Sequence, residues 1–424
     1  MTNKRVLISG ASIAGPAAAY WLAAYGWNVT VIERAAELRE GGHNIDIRGA
    51  GREVARRMGI EQTIREATTG EKGTRFISMD GDTVAEFPAS ASDTGGATAE
   101  LEILRGELAR IIVAAGSPDI EYIFDDVIAG VTETADEVTV SFRHGPDRSF
   151  DALLIAEGMN SRTRALVFGD EPAIRPLGMY TAYFTVDRTP NDDGWARWYN
   201  TTRGRSALLR PDNKGTTRAA LSFLSGPEGY EDLPLSRQKA AISSRFADSG
   251  WEIPRILKGL ETAEDMYLDY LGQVHAPSWS SGRVMLLGDA AYCASPISGM
   301  GTSLALVGAY VLAGELESHP GDTGAASREY DRLMRPYVRQ AQQLPPGAPR
   351  LANPKTRTGL ALFSTALKLG ATRAFSALGT RFFTPPADKI ELPDYTPLRT
   401  FPSGRSTGSP KQTQQGGKPD PSGR

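Results

Sequence analysis

The feature that most constrains the fold is the pattern of the first 33 residues. Two short apolar runs, residues 5–9 and 29–33, flank a glycine-containing turn and an alanine-rich stretch over residues 16–25. Apolar runs of this length indicate buried strands, and the alanine-rich stretch favours a helix between them. Strand, turn, helix and strand in this order predict the opening of a doubly wound parallel sheet, and therefore an α/β fold.

The turn carries a variant of the dinucleotide-binding fingerprint. It reads GASIAG from Gly10 to Gly15, with Ser12 in place of the middle glycine. The first glycine permits the tight turn, the last lets the helix pack closely, and the N–H groups at the helix start can hold a pyrophosphate. Glu33 closes the second strand, where a carboxylate can accept hydrogen bonds from ribose hydroxyls, and an acid there favours FAD or NAD over NADP. The nucleotide-binding residues predicted in this region are Gly10, Ser12, Ile13, Ala14, Gly15, Glu33 and Arg34.

A second motif lies far downstream and decides between these nucleotides. The sequence LLGDAA at residues 286–291 leads through PISGMG at residues 296–301 into a long apolar segment. An NAD dehydrogenase does not need this element, whereas a flavoprotein does. Asp289 can hydrogen-bond the ribityl chain, and N–H groups at the following helix start can stabilise the negative charge of a reduced flavin. The motif therefore predicts FAD, bound by Asp289, Pro296, Gly299 and Gly301.

In their order and separation, these motifs resemble the FAD-dependent aromatic-ring monooxygenases of the para-hydroxybenzoate hydroxylase type. The likeness covers about residues 5–343 and is greatest to the tetracycline-inactivating flavin monooxygenases. The resemblance implies that Asp46 lies near the flavin, that Arg105 contacts FAD, and that Arg39 serves NAD(P)H binding. The family's Asp-Gly motif is replaced by Glu157-Gly158 in this chain. This departure leaves open how the nicotinamide of NAD(P)H binds.

The resemblance also implies a reaction. NAD(P)H reduces the flavin, O2 forms a flavin C4a-hydroperoxide, and one oxygen atom passes to a small aromatic or polyketide-like molecule. Because the flavin bears this chemistry, we expect no catalytic triad and name no catalytic side chain.

The substrate-binding residues are predicted from the β-rich middle of the chain. Arg197 resembles a substrate-contacting arginine of the tetracycline-modifying enzymes, and Tyr199 shares its side of a strand because it lies two residues further on. Arg218 falls on the next predicted strand. Phe223 and Pro296 are predicted to supply an apolar wall.

The predicted architecture is a Rossmann-like FAD-binding domain with a β-rich substrate domain and a C-terminal helix. The segments are 1–174 and 274–343 for the FAD-binding domain, 175–273 for the substrate domain, 344–402 for a linker and helix, and 403–424 for a disordered tail. A basic helix expected over residues 355–383 either packs across the two domains, which we favour, or lies on a membrane surface.

Composition excludes several classes of protein. The 47 basic and 50 acidic residues give a net charge of −3, which argues against a nucleic-acid partner. The single cysteine, Cys293, excludes an internal disulfide, and we expect no metal, because the histidines show no metal-ligand spacing. Those histidines, expected to be structural or exposed, are His43, His144, His275 and His319. With no signal peptide or membrane-spanning run evident, we expect a cytoplasmic monomer or weak dimer whose partners are an aromatic substrate and O2.

Three other functions stay open. A flavin-dependent halogenase would need a WxWxIP-type motif and a reactive lysine, and residues 251–254 (WEIP) match only in part. An FAD-dependent reductase or dehydrogenase would oxidise NAD(P)H without inserting oxygen. A flavin- or ligand-binding regulator would show no substrate-stimulated NAD(P)H consumption. The sequence also leaves open NADH versus NADPH, and hydroxylation versus Baeyer–Villiger insertion.

Overall fold

The computed structural model describes residues 4–39, 41–89, 101–169, 172–371, 390–397 and 399–401. The strands are β1 (Arg5–Ser9), β2 (Asn28–Glu33), β3 (Asn44–Ile47), β4 (Gly73–Ile77), β5 (Thr83–Pro88), β6 (Leu101–Leu104), β7 (Glu121–Phe124), β8 (Ile128–Glu133), β9 (Val138–Phe142), β10 (Arg148–Phe150), β11 (Ala152–Ile155), β12 (Ala173–Asp187), β13 (Ala196–Thr201), β14 (Arg205–Pro211), β15 (Thr216–Leu224), β16 (Tyr267–His275), β17 (Ser280–Ser281) and β18 (Val284–Leu286). The helices are α1 (Ala14–Ala24), α2 (Ala50–Arg57), α3 (Glu61–Glu66), α4 (Arg105–Ala115), α5 (Arg162–Phe168), α6 (Leu235–Phe246), α7 (Ile253–Thr262), α8 (Asp289–Tyr292), α9 (Gly301–Ser318), α10 (Thr323–Ala341), α11 (Ala348–Ala352) and α12 (Arg357–Gly370).

The predicted α/β opening is confirmed. A six-stranded sheet has the order β17-β18-β11-β1-β2-β7, and all its strands except β17 run parallel. Helices α1 and α9 pack together against it, and every residue of α1 is buried, as expected for a helix without a polar stripe. Because parallel strands end at one edge, the segments that follow β1, β2, β11 and β18 meet there. No helix in the described part of the chain is long and apolar enough to cross a bilayer.

A second sheet of seven strands has the order β16-β12-β15-β14-β13-β4-β5. Successive side chains of a strand point to opposite faces, so the sheet has two distinct surfaces. One, here called the helix face, packs against α6 and α7 and is apolar; it includes Tyr180, Leu221 and Leu209. The opposite surface, here called the cleft face, is turned toward β3, β6 and the six-stranded sheet.

The second sheet does not follow the predicted boundary at residue 174. Strands β4 and β5, which lie inside the segment 1–174, join it because β4 pairs in parallel with β13. Conversely, β7 pairs with β2 in the six-stranded sheet rather than with the neighbouring strands β8, β9 and β10. Pairing between distant segments depends on tertiary packing, which the local pattern of a strand does not encode.

The C-terminal region covers parts of both sheets. The predicted linker at residues 344–354 contains the short helix α11, and α12 packs on the seven-stranded sheet, where Phe363 lies 6.2 Å from Phe76 between ring centroids. Residues 390–397 and 399–401 return to α1 and α9, with Phe401 against Tyr20 and Tyr395 against Tyr310. The remainder of the predicted basic helix beyond residue 371, and the predicted disordered tail 403–424, lie outside the described residues.

Candidate active site

The first part of the site is the turn between β1 and α1. Gly10 has φ +107°, and a Cβ there would lie 2.5 Å from the carbonyl oxygen of Ala156. A Cβ on Gly15 would collide with the Gly10 carbonyl, so both glycines are required by close backbone approach. Helix α1 begins without a side-chain cap and with no acid in its first turn. Its first N–H groups are therefore available to an anion such as a pyrophosphate.

Glu33 is held beside this turn. Its Oε2 accepts a hydrogen bond from the backbone N–H of Ala11 at 2.9 Å, and its Oε1 accepts one from Ala35 at 2.9 Å. The carboxylate thus stays at the end of β2, where a ribose could reach it. Arg34 and Arg39 are exposed in the segment that follows, and the structure gives neither of them a partner in the cleft.

The second part of the site is the start of α9, which lies after β18 and the short helix α8. Like α1, this 18-residue helix begins without a side-chain cap or an acid in its first turn. A Cβ on Gly301 would meet no heavy atom within 4 Å, so space lies open in front of the helix start. Pro296 begins the single helical turn that precedes it, and Gly299 closes that turn with φ +63°. FAD carries negative charge on its pyrophosphate and, when reduced, on its flavin ring. The free N–H groups at the two uncapped helix starts are suited to stabilise both charges.

Asp289 begins α8 between these two helix starts. Its side chain is reachable by solvent yet surrounded by protein, and burial raises the pKa of its carboxyl. An interaction with the thiol of Cys293, whose own hydrogen bond goes to the Gly272 carbonyl at 3.8 Å, opposes this rise. A carboxylate placed this way is suited to accept hydrogen bonds from the hydroxyls of a ribityl chain.

Asp46 and Arg105 stand on the other side of the cleft. Asp46 Oδ2 accepts from Arg48 at 2.8 Å, while Asp46 Oδ1 is buried without a hydrogen-bond partner in the described structure. Arg105 begins α4, and its guanidinium lies 5.9 Å from the centroid of the Tyr267 ring. The described residues offer this guanidinium neither a hydrogen bond nor an ion pair, so its charge is available to a bound molecule.

His43 belongs to the site, which the sequence did not indicate. Its Nδ1 lies 2.5 Å from the hydroxyl of Tyr267, and its ring stacks on Tyr183 at 4.7 Å between centroids. Burial, together with the nearby charges of Arg105 and Arg210, lowers the pKa of His43 to about 3. The imidazole is therefore neutral near pH 7, and its Nδ1 shares a hydrogen bond with the Tyr267 hydroxyl in which the tautomer decides the donor.

The predicted substrate residues Arg197, Tyr199 and Phe223 do not line the cleft. All three lie on the helix face: Tyr199 stacks on Trp251 at 5.2 Å, and Phe223 stacks on Tyr180 at 5.4 Å. Two-residue spacing correctly predicted that Arg197 and Tyr199 share a side. Which side they share depends on α6 and α7, and the sequence analysis did not predict these helices.

Arg197 is instead the centre of a buried ion-pair cluster. It is 6% exposed and donates to the carboxylates of Asp192 and Glu252. Arg218 does lie on the cleft face, but it too is engaged, with Asp212 at 3.0 Å and Asp265 at 3.4 Å. Neither arginine has a charge free to bind a substrate.

The register of the strands arranges the cleft face in rows that cross the sheet. The first, the hydroxyl row, consists of Asp269, Thr181, Ser222, Ser206 and Asn200. The next, the aromatic row, consists of Tyr267, Tyr183, Ala220, Leu208, Trp198 and Phe76. Most of these side chains are half-buried, unlike those of the helix face, so the cleft offers a flat apolar floor with a polar edge.

Glu157, the departure from the family's motif, is bound to its own chain. Hydrogen bonds reach its carboxylate from Ser9 at 2.5 Å, Ser161 at 2.7 Å and the Thr163 backbone at 3.1 Å. Although burial acts to raise the pKa of this carboxyl, these hydrogen bonds lower it below its usual value. The residue stabilises the turn between β11 and α5, beside Gly10.

Two cavities lie away from the two helix starts, one at the far end of the cleft face and one outside the cleft. One of about 170 Å³ lies between α12 and the end of the cleft face, lined by Phe76, Asn200 and Phe363 among others. A larger one of about 330 Å³ is lined by Arg5, Glu121 and Arg148 at the amino ends of the parallel strands. Because nucleotides bind at the carboxyl ends of such strands, the larger cavity is not the site of the chemistry.

The chain belongs to the FAD-binding domain family, whose model matches residues 3–343. This match, together with the relatives below, makes the protein an FAD-dependent oxidoreductase of the flavin-dependent monooxygenase type and confirms the resemblance drawn from the motifs.

Relatives of known name cover nearly the whole chain. The flavin-dependent monooxygenase eupH of a Phoma species is 36% identical over 95% of this chain and 100% of its own length. The monooxygenase CTB7 of Cercospora beticola is 33% identical over 93% of this chain and 98% of its own. Among solved structures, the tetracycline destructase Tet(51) superposes with a TM-score of 0.77 at 30% identity, covering 93% of this chain and 99% of that one.

Proposed function

We propose that the protein uses NAD(P)H and O2 to hydroxylate a small aromatic or polyketide-like molecule, with FAD as its resident cofactor. The observation that carries the proposal is the pair of uncapped helix starts, α1 and α9, at the carboxyl edge of one parallel sheet. They lie across from an aromatic surface on the second sheet. This arrangement provides one position for the flavin and one for a flat organic substrate.

Each part of the cofactor has a candidate partner. The start of α1 would hold the pyrophosphate and Glu33 the ribose hydroxyls, while Asp289 would hold the ribityl chain. The start of α9 and the cation of Arg105 would stabilise negative charge on the reduced ring. When bound, FAD would accept a hydride from NAD(P)H, react with O2 and supply one oxygen atom to the substrate.

The substrate would lie on the aromatic row of the cleft face. Tyr183 and Tyr267 stack on each other at 5.1 Å, and Trp198 stacks on Phe76 at 5.6 Å, so the row presents an apolar aromatic surface against which a planar molecule can pack. The names of the solved relatives, tetracycline destructases, are compatible with a polycyclic substrate.

The test is to load the purified protein with FAD and measure NADH and NADPH oxidation with a panel of phenols, naphthols and tetracycline. We expect at least one compound to accelerate oxidation of the nicotinamide and to gain one oxygen atom, labelled when the reaction runs under ¹⁸O2. Accelerated oxidation that yields hydrogen peroxide and unchanged compound would instead support a reductase. A halogenated product with added chloride would support a halogenase, and FAD binding without any accelerated oxidation would support a regulator.

A further inference from the structure

Some charged side chains of the cleft face are already neutralised by ion pairs with neighbouring residues, and one is not. Among the described residues, the half-buried charged groups within its strands are Arg210, Arg218 and Asp269. Arg210 is bound to Glu71 at 2.8 Å and also to Glu102. Arg218 is bound to Asp212 and Asp265 at the distances given above. An anionic substrate would have to displace a buried carboxylate to reach either arginine, which would leave that carboxylate unpaired at high cost.

Asp269 is the exception. It is half-buried on β16, and no described residue gives its carboxylate a hydrogen bond or an ion pair. Burial raises the pKa of this carboxyl, and the neighbouring charge of Asp289 acts in the same direction. The cation of Arg105 lowers it but does not outweigh burial. A carboxylate in such a position is stabilised strongly by any donor that a ligand brings.

The surroundings of Asp269 define the kind of donor. It lies directly opposite Thr181, whose hydroxyl is 2.9 Å from that of Ser222. It also lies two residues along β16 from Tyr267, in the aromatic row. A ring stacked on the aromatic row would therefore present its edge to Asp269 and to this pair of hydroxyls.

We propose that Asp269 selects the substrate by accepting a hydrogen bond from a hydroxyl or ammonium group at the ring edge, and that it rejects ring carboxylates. The inference rests on the proposed function only in placing the substrate on the cleft face. It assigns a neutral or cationic polyhydroxylated ring as the substrate class. Aromatic acids are disfavoured, because the arginines of the sheet are neutralised and the cation of Arg105 is assigned to the flavin, so the unpaired charge left for the substrate is the negative charge of Asp269.

The test measures binding rather than turnover. Dissociation constants of 1-naphthol and 1-hydroxy-2-naphthoate, which share the hydroxynaphthalene ring system and differ by a carboxylate, are measured by calorimetry on the FAD-loaded protein without NAD(P)H. We expect the wild-type protein to bind 1-naphthol at least tenfold more tightly than the acid. The Asp269→Asn substitution should reduce the ratio of the two dissociation constants at least fivefold. The control substitution Glu264→Gln, which removes an exposed acid from the same region, should leave that ratio unchanged.

Three results would overturn the proposal. They are equal or tighter binding of the acid by the wild-type protein, a ratio that Asp269→Asn leaves unchanged, and failure of the FAD-loaded protein to bind either probe. None of these results depends on oxygen transfer. Failure of the proposed function would appear separately, as FAD-loaded protein that binds 1-naphthol yet oxygenates nothing in the panel.

Discussion

At the scale of single residues, Arg197 shows how charge burial determines the role of a side chain. Its guanidinium lies between two carboxylates and 5.4 Å from the centroid of Trp251. Removing one partner of a buried ion pair leaves the remaining charges uncompensated, which typically costs about 3–5 kcal/mol. Arg255 also contacts Asp192 and Glu252, so part of that charge would stay neutralised.

We therefore predict that Arg197→Met lowers the free energy of unfolding by about 3 kcal/mol, the low end of that range. Urea unfolding followed by fluorescence measures this change. The control is Arg332→Met at an exposed site, which should leave the free energy of unfolding essentially unchanged. A variant of Arg197 with unaltered stability and weakened substrate binding would restore the substrate role that the sequence suggested.

The backbone geometry of the proposed flavin site was predictable because it depends on a short local segment. Gly10, Gly15 and Glu33 are determined by a turn, a close approach and a strand end within one short segment. His43 was not predictable, because its hydrogen-bond partner Tyr267 lies on a strand more than 200 residues away. Asp269 was not predictable, because its role depends on the absence of a hydrogen-bond partner. The local sequence pattern around a residue predicts neither a contact with a distant strand nor the absence of a partner.

At the scale of elements, helix α9 joins the proposed flavin site to the C-terminal segment. Its first residues face the cleft, while Glu315 near its other end accepts a hydrogen bond from the Tyr395 hydroxyl at 2.5 Å. A Cβ on Gly314 would collide with the Tyr395 ring, so the ring packs directly on the helix backbone. The Tyr310 hydroxyl donates to the Pro393 carbonyl at 2.7 Å beside it.

Tyr395→Ala should lower the free energy of unfolding by about 2 kcal/mol, less than the cost of truncating a fully buried aromatic residue, because Tyr395 is only half-buried. Thermal unfolding of the FAD-free protein measures the effect. Leu362→Ala on α12 is the matched control, since Leu362 is 68% exposed and its truncation should be nearly neutral. Equal stability of both variants would mean that residues 390–397 and 399–401 do not stabilise α9.

Elements with a strong local pattern, such as β1, α1 and β2, were predictable from the sequence. Which strands pair with one another was less predictable, because β4 and β5 join a sheet whose other strands lie more than 80 residues further along the chain. The amphipathic helices α6 and α7 fall within a stretch that the sequence analysis treated as β-rich. Missing them led the sequence analysis to place Arg197, Tyr199 and Phe223 on the substrate side of the sheet, whereas Arg218 does lie on that side.

At the scale of the whole molecule, a buried charge cluster joins the seven-stranded sheet to the paired strands β3 and β6. Arg210 of β14 is bound to Glu102 of β6, which also accepts from Asn44 at 2.5 Å and from the hydroxyl of Thr69 at 2.7 Å. Burial raises the pKa of Glu102 to about 8 despite the charge of Arg210, and the neighbouring carboxylates of Glu71 and Asp46 add to the rise.

This raised pKa makes stability depend on pH. Between the unfolded value of 4.5 and about 8, the folded protein binds more protons at Glu102 than the unfolded chain does. Stability contributed by this group is therefore present at low pH and is lost as pH rises toward 8. Urea unfolding at about pH 5 and about pH 8 should show a smaller loss for Glu102→Gln than for the wild-type protein. An identical loss in the two proteins would show that Glu102 does not titrate in this window.

The central claim is that the starts of α1 and α9, with Asp289 between them, hold a single FAD. Titrating FAD into the purified protein and following flavin fluorescence and the visible spectrum tests it most directly. We predict saturation at one FAD per chain and at least a tenfold loss of affinity in Asp289→Ala, whereas Glu264→Gln binds like the wild-type protein. A protein that stays colourless with added FAD, or an Asp289→Ala variant that retains it fully, would contradict the claim.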